Sequence, residues 1–343
     1  MQSIMQTQNA TATHPHADTP GDDAVRINQS TLIALNRDAR QLPLKSASIR
    51  AQFNGQYLSS FKGRGMEFDE ARPYQPGDDI RAMDWRVTAR TGKAHSKVFR
   101  EERERPVLLW VDYRQPMFFG TQQHFKSVLA AKIAALLAWS TAHHGDRLGG
   151  LIFSSQADSN AHIELRPSRG KSASLHFIKQ LAQHPAWNTQ NNTSEAIAAE
   201  NEPLSHASSA TQSLSRLQRV SKPGSLIFLI SDFRNMDDKA WSGLTQLGRH
   251  SDVVLISIHD PLESQLPPAG IYKISDGARE INLNTYNKRQ RQQYHQRYEM
   301  QQSQLQSRCR KQGMQYINVS TADDYLYVLQ QGLGLASGTK RKK

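Results

Sequence analysis

The sequence predicts an α/β fold: a mainly parallel sheet with helices on both faces, preceded by a small β-rich module. Three observations carry this. After Pro106 the chain alternates apolar runs with helical stretches, the order of elements that builds a parallel sheet. The runs Val107–Val111, Leu148–Phe153, Ser225–Ile230 and Val253–Ile258 are nearly all apolar, as strands covered on both faces must be. Before Pro106, by contrast, Ser48 to Pro106 has few long apolar runs, several glycines (Gly55, Gly63, Gly65, Gly77, Gly92) and charges of both signs.

The elements follow in order. Residues 1–29 are rich in Gln, Thr, Ala, His and Asp without hydrophobic periodicity, which predicts a disordered segment. Its His14 and His16 have nothing nearby to fix a metal geometry. Residues 30–106 form the next unit. Leu32, Leu35 and Leu42 within Thr31–Leu42 predict a short helix packed on the main body, and the β-rich module follows. Gly63-Arg64-Gly65 reads as a tight turn, because no strong strand precedes it and no helix signal follows, as a phosphate loop would require. Pro76-Gly77-Asp78-Asp79 is turn chemistry, with Asp78 or Asp79 placed to cap a short helix through Trp85. Arg72, Asp78, Asp79, Arg81 and Asp84 read as an internal ion-pair network that locks this module to the main domain, a matter of orientation more than of strength.

The main domain is predicted over residues 107–334. Phe125, Leu129, Ile133, Leu136 and Leu137 recur at helical spacing between Phe125 and His144 with very few charges, so this helix is expected to be deeply packed. Pro185 to Lys222 is polar and uneven, with helical pieces at Ser194–Ala199 and Leu214–Val220 around a flexible Glu202–Thr211 loop. Tyr294, Tyr298 and Leu305 mark one face of a basic helix, Tyr316–Val319 reads as a strand and Tyr325–Leu333 as a final helix. Residues 335–343 form a basic disordered tail.

Charge and composition bound the function. The formal net charge of +12 is concentrated: seven basic residues stand against Glu299 between Asn284 and Gly313, and Lys340 to Lys343 adds four more. Such a charge describes one solvated helix face and one tail before it describes a nucleic-acid surface. No stretch approaches the roughly 20 apolar residues a membrane-spanning helix needs, and Met1–Ala24 lacks the basic start and apolar segment of a secretory signal. No membrane insertion and a cytoplasmic location are the expectation. The single cysteine, Cys309, fits a reducing compartment, and its neighbours Arg308 and Arg310 would lower its pKa without making it a nucleophile.

Three apolar strands run into an acid: Val111 into Asp112, Ser231 into Asp232, and His259 into Asp260. Ligands of open parallel sheets bind outside the carboxyl ends of the strands, so these acids are expected along one edge. Clustered carboxylates there most simply mean a hard cation such as Mg²⁺, while an aspartate after a buried strand equally well caps the next helix.

The stretch Gly63-Arg64-Gly65-Met66-Glu67-Phe68, then Arg72-Pro73-Tyr74-Gln75-Pro76-Gly77-Asp78-Asp79-Ile80-Arg81, then Asp84-Trp85 and Ala89-Arg90, resembles the family called domain of unknown function 58. The resemblance continues through Glu101, Asp112, Gly145-Asp146-Arg147, Ile230-Ser231-Asp232-Phe233 and Asp260-Pro261-Leu262-Glu263, covering about Arg50 to Leu333. It implies a von Willebrand factor A-like main domain and a partnership with a MoxR-type AAA+ ATPase or its client protein. Many members carry membrane helices, which this sequence does not show.

Domains of the von Willebrand type hold a divalent ion through Asp-x-Ser-x-Ser after the first strand, a threonine from a later loop, and an aspartate after a following strand. Asp112 matches the first aspartate, Thr193 the threonine and Asp232 the last, but Arg114 and Pro116 replace the two serines. Two unit charges 4 Å apart interact by about 4 kcal/mol at an effective dielectric near 20, so Arg114 facing a divalent ion would cost about 8 kcal/mol. The expectation is a degenerate site in which Arg114 neutralises Asp112 and Asp232, with no cofactor; Asp112, Thr193 and Asp232 would be the ligands of Mg²⁺ were one bound.

The sequence contains no Ser/His/Asp order, zinc spacing or complete phosphate loop, so a binding module is expected in preference to an enzyme. Two alternatives stand beside it. One is a Mg²⁺-dependent phosphohydrolase with Asp112 as nucleophile, although such enzymes carry an acid where this chain has Arg114. The other is a nucleic-acid or anionic-surface binder using the helix around Lys288 to Lys311, the tail, and Tyr286, Tyr294 and Tyr298; the four-residue spacing of the last two points to packing.

Overall fold

In the computed structural model the described residues are 23–42, 44, 66–76, 78–101, 106–155, 162–188, 203–275 and 280–334; at 66–70, 98–101, 203–207, 274–275 and 280–281 only the backbone is described. Order begins within the segment expected to lack it. Ile27 is buried in the main core, the Ala24 carbonyl accepts from Phe125 N at 2.8 Å, and Asp23 Oδ1 accepts from Asn28 N at 2.9 Å. One apolar side chain with a slot to fill is enough to anchor residues 23–29. The short helix expected next is α1 (Gln29–Ala34) followed by a 3-10 turn over Asp38–Gln41; α1 buries Leu32, the turn buries Ala39, and Leu35 and Leu42 beside them join the core. Trp139 Nε1 donates to Leu32 O at 3.1 Å and Ser140 Oγ donates to Leu42 O, which fixes this segment on the main domain.

The β-rich module is an antiparallel ribbon of β1 (Met66–Pro73) and β2 (His95–Glu101), irregular between Phe68 and Glu70. Asp79 caps a 3-10 turn over Ile80–Ala82 through Arg81 N, and Asp84 caps α2 (Trp85–Thr91) through Arg86 N and Val87 N at 3.0 and 3.2 Å. Trp85 therefore starts a second helix instead of ending the first. Gly92 closes α2 at φ 69°, a left-handed angle that favours glycine. Arg72 Nη2 meets Asp78 Oδ1 at 2.6 Å while Asp78 Oδ2 accepts from Gln75 N, and Tyr74 N donates to Ala94 O, so the turn around Pro76 is tied to the ribbon. The Gln75 amide and the Arg72 guanidinium hold the Asp78 carboxyl below its ordinary pKa. The bonds of Arg72, Asp78 and Asp84 stay inside the module, so these charges shape it and do not lock it to the main domain. Gly63, Gly65 and Gly77 lie outside the described residues, and Glu67 and Phe68 are placed by their backbone in β1.

The main sheet has the order β10-β7-β6-β3-β4-β5, formed by β3 (Pro106–Asp112), β4 (Arg147–Phe153), β5 (His162–Arg169), β6 (Leu226–Ser231), β7 (Asp252–His259) and β10 (Gln315–Ser320). All neighbours are parallel except β5, which runs antiparallel at one edge. Along β3 the side chains alternate between two cores. Val107, Leu109 and Val111 join α1, α3 (Lys126–His143), α4 (Gly170–Gln183) and α9 (Tyr325–Gly332); Leu108 and Trp110 join α5 (Pro203–Val220), α6 (Asp238–Gly248) and α8 (Lys288–Lys311). A strand with both faces covered has no place for polar residues, which is why these runs are all apolar. Helix α3 is apolar around nearly its whole circumference because it is packed on all sides. The expected flexible Glu202–Thr211 loop is instead helical from Pro203 onward, and the Ser194–Ala199 piece lies outside the described residues. A short α7 (Pro261–Ser264) and the hairpin β8 (Ile271–Ser275) and β9 (Glu280–Asn284) connect β7 to α8. Among the described residues no helix is long and apolar enough to cross a membrane.

Gly149 and Gly150 interrupt β4 because the backbones on either side come too close for side chains. A Cβ on Gly150 would land on the Leu109 carbonyl, and one on Gly149 would lie 2.8 Å from Leu165 O. Gly150→Ala is expected to lower the stability by about 3 kcal/mol through forced separation of β3 and β4. Urea unfolding midpoints of the two proteins measure this.

Candidate binding site at the strand ends

The parallel strands β3, β6 and β7 deliver Asp112, Asp232 and Asp260 to one edge of the sheet, as their positions after apolar runs predict. Each acid is held differently there. Asp112 is fully buried and gripped by Arg114, itself 1% exposed. Arg114 Nε lies 3.0 Å from both carboxylate oxygens, Nη2 lies 2.6 Å from Oδ2, and Arg114 N donates to Oδ1 at 2.9 Å. A spacing of two residues lets the side chain fold back on the acid that precedes it, and the 3-10 turn over Gln115–Met117 turns the chain away beyond it. Ser231 Oγ adds a bond to Asp112 Oδ2 at 2.5 Å, and the Arg114 guanidinium lies over the Phe153 ring at 5.6 Å. Burial opposes the charge of Arg114, but the Asp112 carboxylate outweighs it and raises the guanidinium above its ordinary pKa.

Asp232 takes a different cation. Lys126 Nζ, with no exposed surface, lies 2.8 Å from Asp232 Oδ2 and 2.7 Å from Glu263 Oε1. Arg114 reaches Asp232 only as a charge through space, so the expectation that one arginine neutralises both acids holds for Asp112 and is corrected for Asp232. Burial pushes the Asp232 carboxyl up, yet the ammonium of Lys126, the Arg114 charge and the Arg234 amide together hold it down at about 2. The sequence offered one signal for Lys126. It sits in the first turn of a mostly apolar helix, where the helix dipole disfavours a cation and a specific partner is needed to hold it.

Asp260 is a structural tie. It caps α7 through Leu262 N while Glu263 Oε2 accepts from Asp260 N, and it also accepts from Thr121 N, Thr121 Oγ1 and Thr321 Oγ1. Burial would raise its pKa, but the Thr121 and Thr321 bonds and the Leu262 amide lower it below the ordinary value. Because Glu263 also meets Lys126, two of the three strand-end acids, Asp232 and Asp260, are joined in one network. Thr193 lies outside the described residues.

These groups do not fit a metal ion. Both oxygens of Asp112 are occupied by Arg114 and Ser231, and Asp232 turns Oδ2 to an ammonium and Oδ1 to the Arg234 amide at 3.0 Å. Two fixed cations already stand where a dication would be repelled. Among the described residues no group of three or more His, Cys, Asp or Glu is arranged to hold an ion.

The open part of the rim lies on the far side of Asp232. A cleft of about 600 Å³ extends between the loop after β6 and helix α8, lined among others by Arg234, Trp241, His259, Arg297, Tyr298 and Arg308. Phe233 and Asn235 in that loop both have φ of 53°, a left-handed conformation uncommon outside glycine. Tyr294 OH donates to Leu262 O and the Tyr298 ring packs 5.6 Å from His259, so the tyrosine face of α8 is a packing face, as its spacing predicts. Cys309 is buried under the same helix, and burial pushes its thiol up to about 12 in spite of its arginine neighbours.

A family model described as "Protein of unknown function DUF58" matches residues 70–304. Uncharacterized proteins of Mycobacterium tuberculosis and Mycobacterium bovis are each 30% identical over 224 residues, or 65% of this chain. The match spans 64% of the length of these curated relatives. Among solved structures, the conserved hypothetical protein BatB from Bacteroides thetaiotaomicron is similar at a TM-score of 0.40 and 13% identity, over 67% of this chain and 97% of that one. An aerotolerance-related membrane protein from Bacteroides fragilis, with multiple mutations to serines, is similar at 0.40 and 14% identity, over 67% and 98%.

Removing Lys126 isolates two buried carboxylates. Lys126→Met is expected to destabilise the fold by roughly 3 to 5 kcal/mol at neutral pH. Because the Asp232 pKa is depressed from 3.8 to about 2, its contribution to stability is present above 3.8 and lost as the pH falls through about 2. The variant should lose that slope, and guanidinium unfolding between pH 2 and 7 reads both effects, with the pH bounds as an approximate working range.

Proposed function

The chain belongs to the family described as Protein of unknown function DUF58, and from that premise we propose that it is a non-enzymatic protein-binding module, partnered by a MoxR-type AAA+ ATPase or its client. On this reading the main domain is von Willebrand factor A-like with a degenerate metal-ion-dependent adhesion site, and the protein works in the cytoplasm. One observation carries it: both acids in the positions of such a site are engaged by side-chain cations, Asp112 by Arg114 and Asp232 by Lys126. A site of this kind needs no ion to be neutral and has no ligand position for one.

The same arrangement weighs against the alternatives. A phosphohydrolase needs a free carboxylate oxygen aimed at phosphorus, and Asp112 is fully buried with both oxygens in bonds. A base-stacking surface on α8 needs free aromatic faces, and Tyr294 and Tyr298 are engaged against α7 and β7.

Two measurements test the proposal. Mg²⁺ or Mn²⁺ titrated calorimetrically into the full chain should give no saturable heat, and tight binding abolished by Asp112→Ala would refute the ion-free site. Tagged chain co-expressed with a MoxR-type ATPase from the same genome should co-elute with it, and elution of the chain alone would refute the partnership.

A further inference from the structure

The cleft beside Asp232 has a charge pattern that specifies its ligand. Its floor holds two carboxylates, Asp232 and Glu263, and Lys126 bridges both from beneath. Above that floor, Arg297, Gln301, Gln304 and Arg308 follow one another at spacings of four, three and four residues, which puts them on one stripe of α8 facing the cleft. Among the described residues no carboxylate pairs with Arg297 or Arg308; the acid of this helix, Glu299, points elsewhere and pairs with His295. The Arg308 guanidinium lies over the Trp241 ring at 5.1 Å, which holds it in place without neutralising it. From the opposite wall Arg234 adds a third cation, half-exposed and 3.3 Å from Glu263.

The spacing has a chemical meaning. Eleven residues of helix separate Arg297 from Arg308, about 16 Å at 1.5 Å per residue. An extended peptide covers that distance in about five residues. Between the two arginines, Gln301 and Gln304 each offer a donor and an acceptor, the two groups that a peptide backbone also carries. A nucleic-acid strand fits less well, because its bases would find Tyr294 and Tyr298 already packed.

Resting on the binding-module reading, we propose that this cleft binds an extended acidic peptide segment of a protein partner, with Arg297 and Arg308 receiving carboxylates about five residues apart. Arg234 receives a third, and the glutamines pair with the backbone between them.

Fluorescein-labelled deca-glutamate, titrated with the full chain and read by anisotropy, is the probe. Saturable binding is expected, and Arg297→Glu with Arg308→Glu should weaken it about tenfold or more, while Lys288→Glu with Arg289→Glu, the same charge change at the exposed start of α8, should weaken it less than about threefold. Arg297→Glu alone leaves the Arg308–Trp241 stack intact and should still weaken binding about threefold or more, which separates a lost contact from a lost fold. Equal weakening by the two pairs, absence of saturable binding, or tighter binding of oligothymidylate that the cleft pair abolishes would each overturn the proposal. An ATPase that still co-elutes with the Arg297→Glu and Arg308→Glu protein, when that protein binds deca-glutamate no less tightly, overturns the cleft alone and leaves the binding-module reading standing.

Discussion

The architecture of the rim depends on one ammonium group. Lys126 Nζ is fully buried between Asp232 and Glu263, and neither acid could remain charged at that depth without it. The consequence reaches further than the pair. Glu263 completes the cap that Asp260 makes on α7, Asp260 binds Thr121 in the segment before α3 and Thr321 after β10, and Asp232 starts the loop that walls the cleft. Four connections that the chain makes at the carboxyl edge of the sheet therefore meet at one side chain. Such a pair adds little over a well-packed apolar substitute; what it contributes is a single geometry for the loops, since a buried charge tolerates few arrangements.

The distribution of cations also decides which part of the edge borders the cleft. Arg114 closes the β3 end, with its own bonds to Asp112 and the Ser231 hydroxyl sealing the carboxylate from above and the side. At the β6 end Lys126 takes Oδ2 of Asp232, and this buried carboxylate borders the cleft. Two neutralisations of the same chemistry thus leave one end sealed and the other bordering the cleft. Sheet topology alone points to the whole edge as a binding region, and side-chain direction reduces it to the part between β6, β7 and α8.

The sequence made much of this legible because the relevant signals are local. Strands covered on both faces need apolar runs, so β3, β4, β6 and β7 are recognisable within a residue or two, and the all-round apolar α3 follows from the same rule. The Asp112–Arg114 contact is visible too, since two residues separate its partners. Lys126 is different: its acids lie 106 and 137 residues away, and no local pattern encodes such a pairing. Edge strand β5 escaped notice because its partly exposed residues, Glu164, Arg166 and Ser168 among them, break the apolar run that marks the inner strands. Glu202–Thr211 reads as loop because its polar and small residues carry little periodicity, but Ala210, Leu214 and Leu217 suffice to seat α5 on the second core. In each miss a tertiary contact supplied what local composition lacked.

On the proposed reading, the exchange of hydroxyl ligands for Arg114 changes the kind of control such an edge permits. An ion held by serine and aspartate oxygens exchanges with solvent, so a partner that reaches it is bound or released with ion supply and pH. A guanidinium held by Asp112 in three contacts does not exchange, and the raised pKa of Arg114 keeps it charged throughout any biological range. On the proposed reading the edge is always in its neutralised state, and selectivity has to come from elsewhere. Arg297 and Arg308 of α8, which pair with no carboxylate among the described residues, are suited to that role because they are solvated and strongly screened by salt, which makes attraction to an acidic partner fast and reversible where a buried pair would be neither. On that reading a rigid, permanently charged rim beneath a labile cationic wall separates two tasks: the buried cations hold the shape, and the exposed ones select the partner.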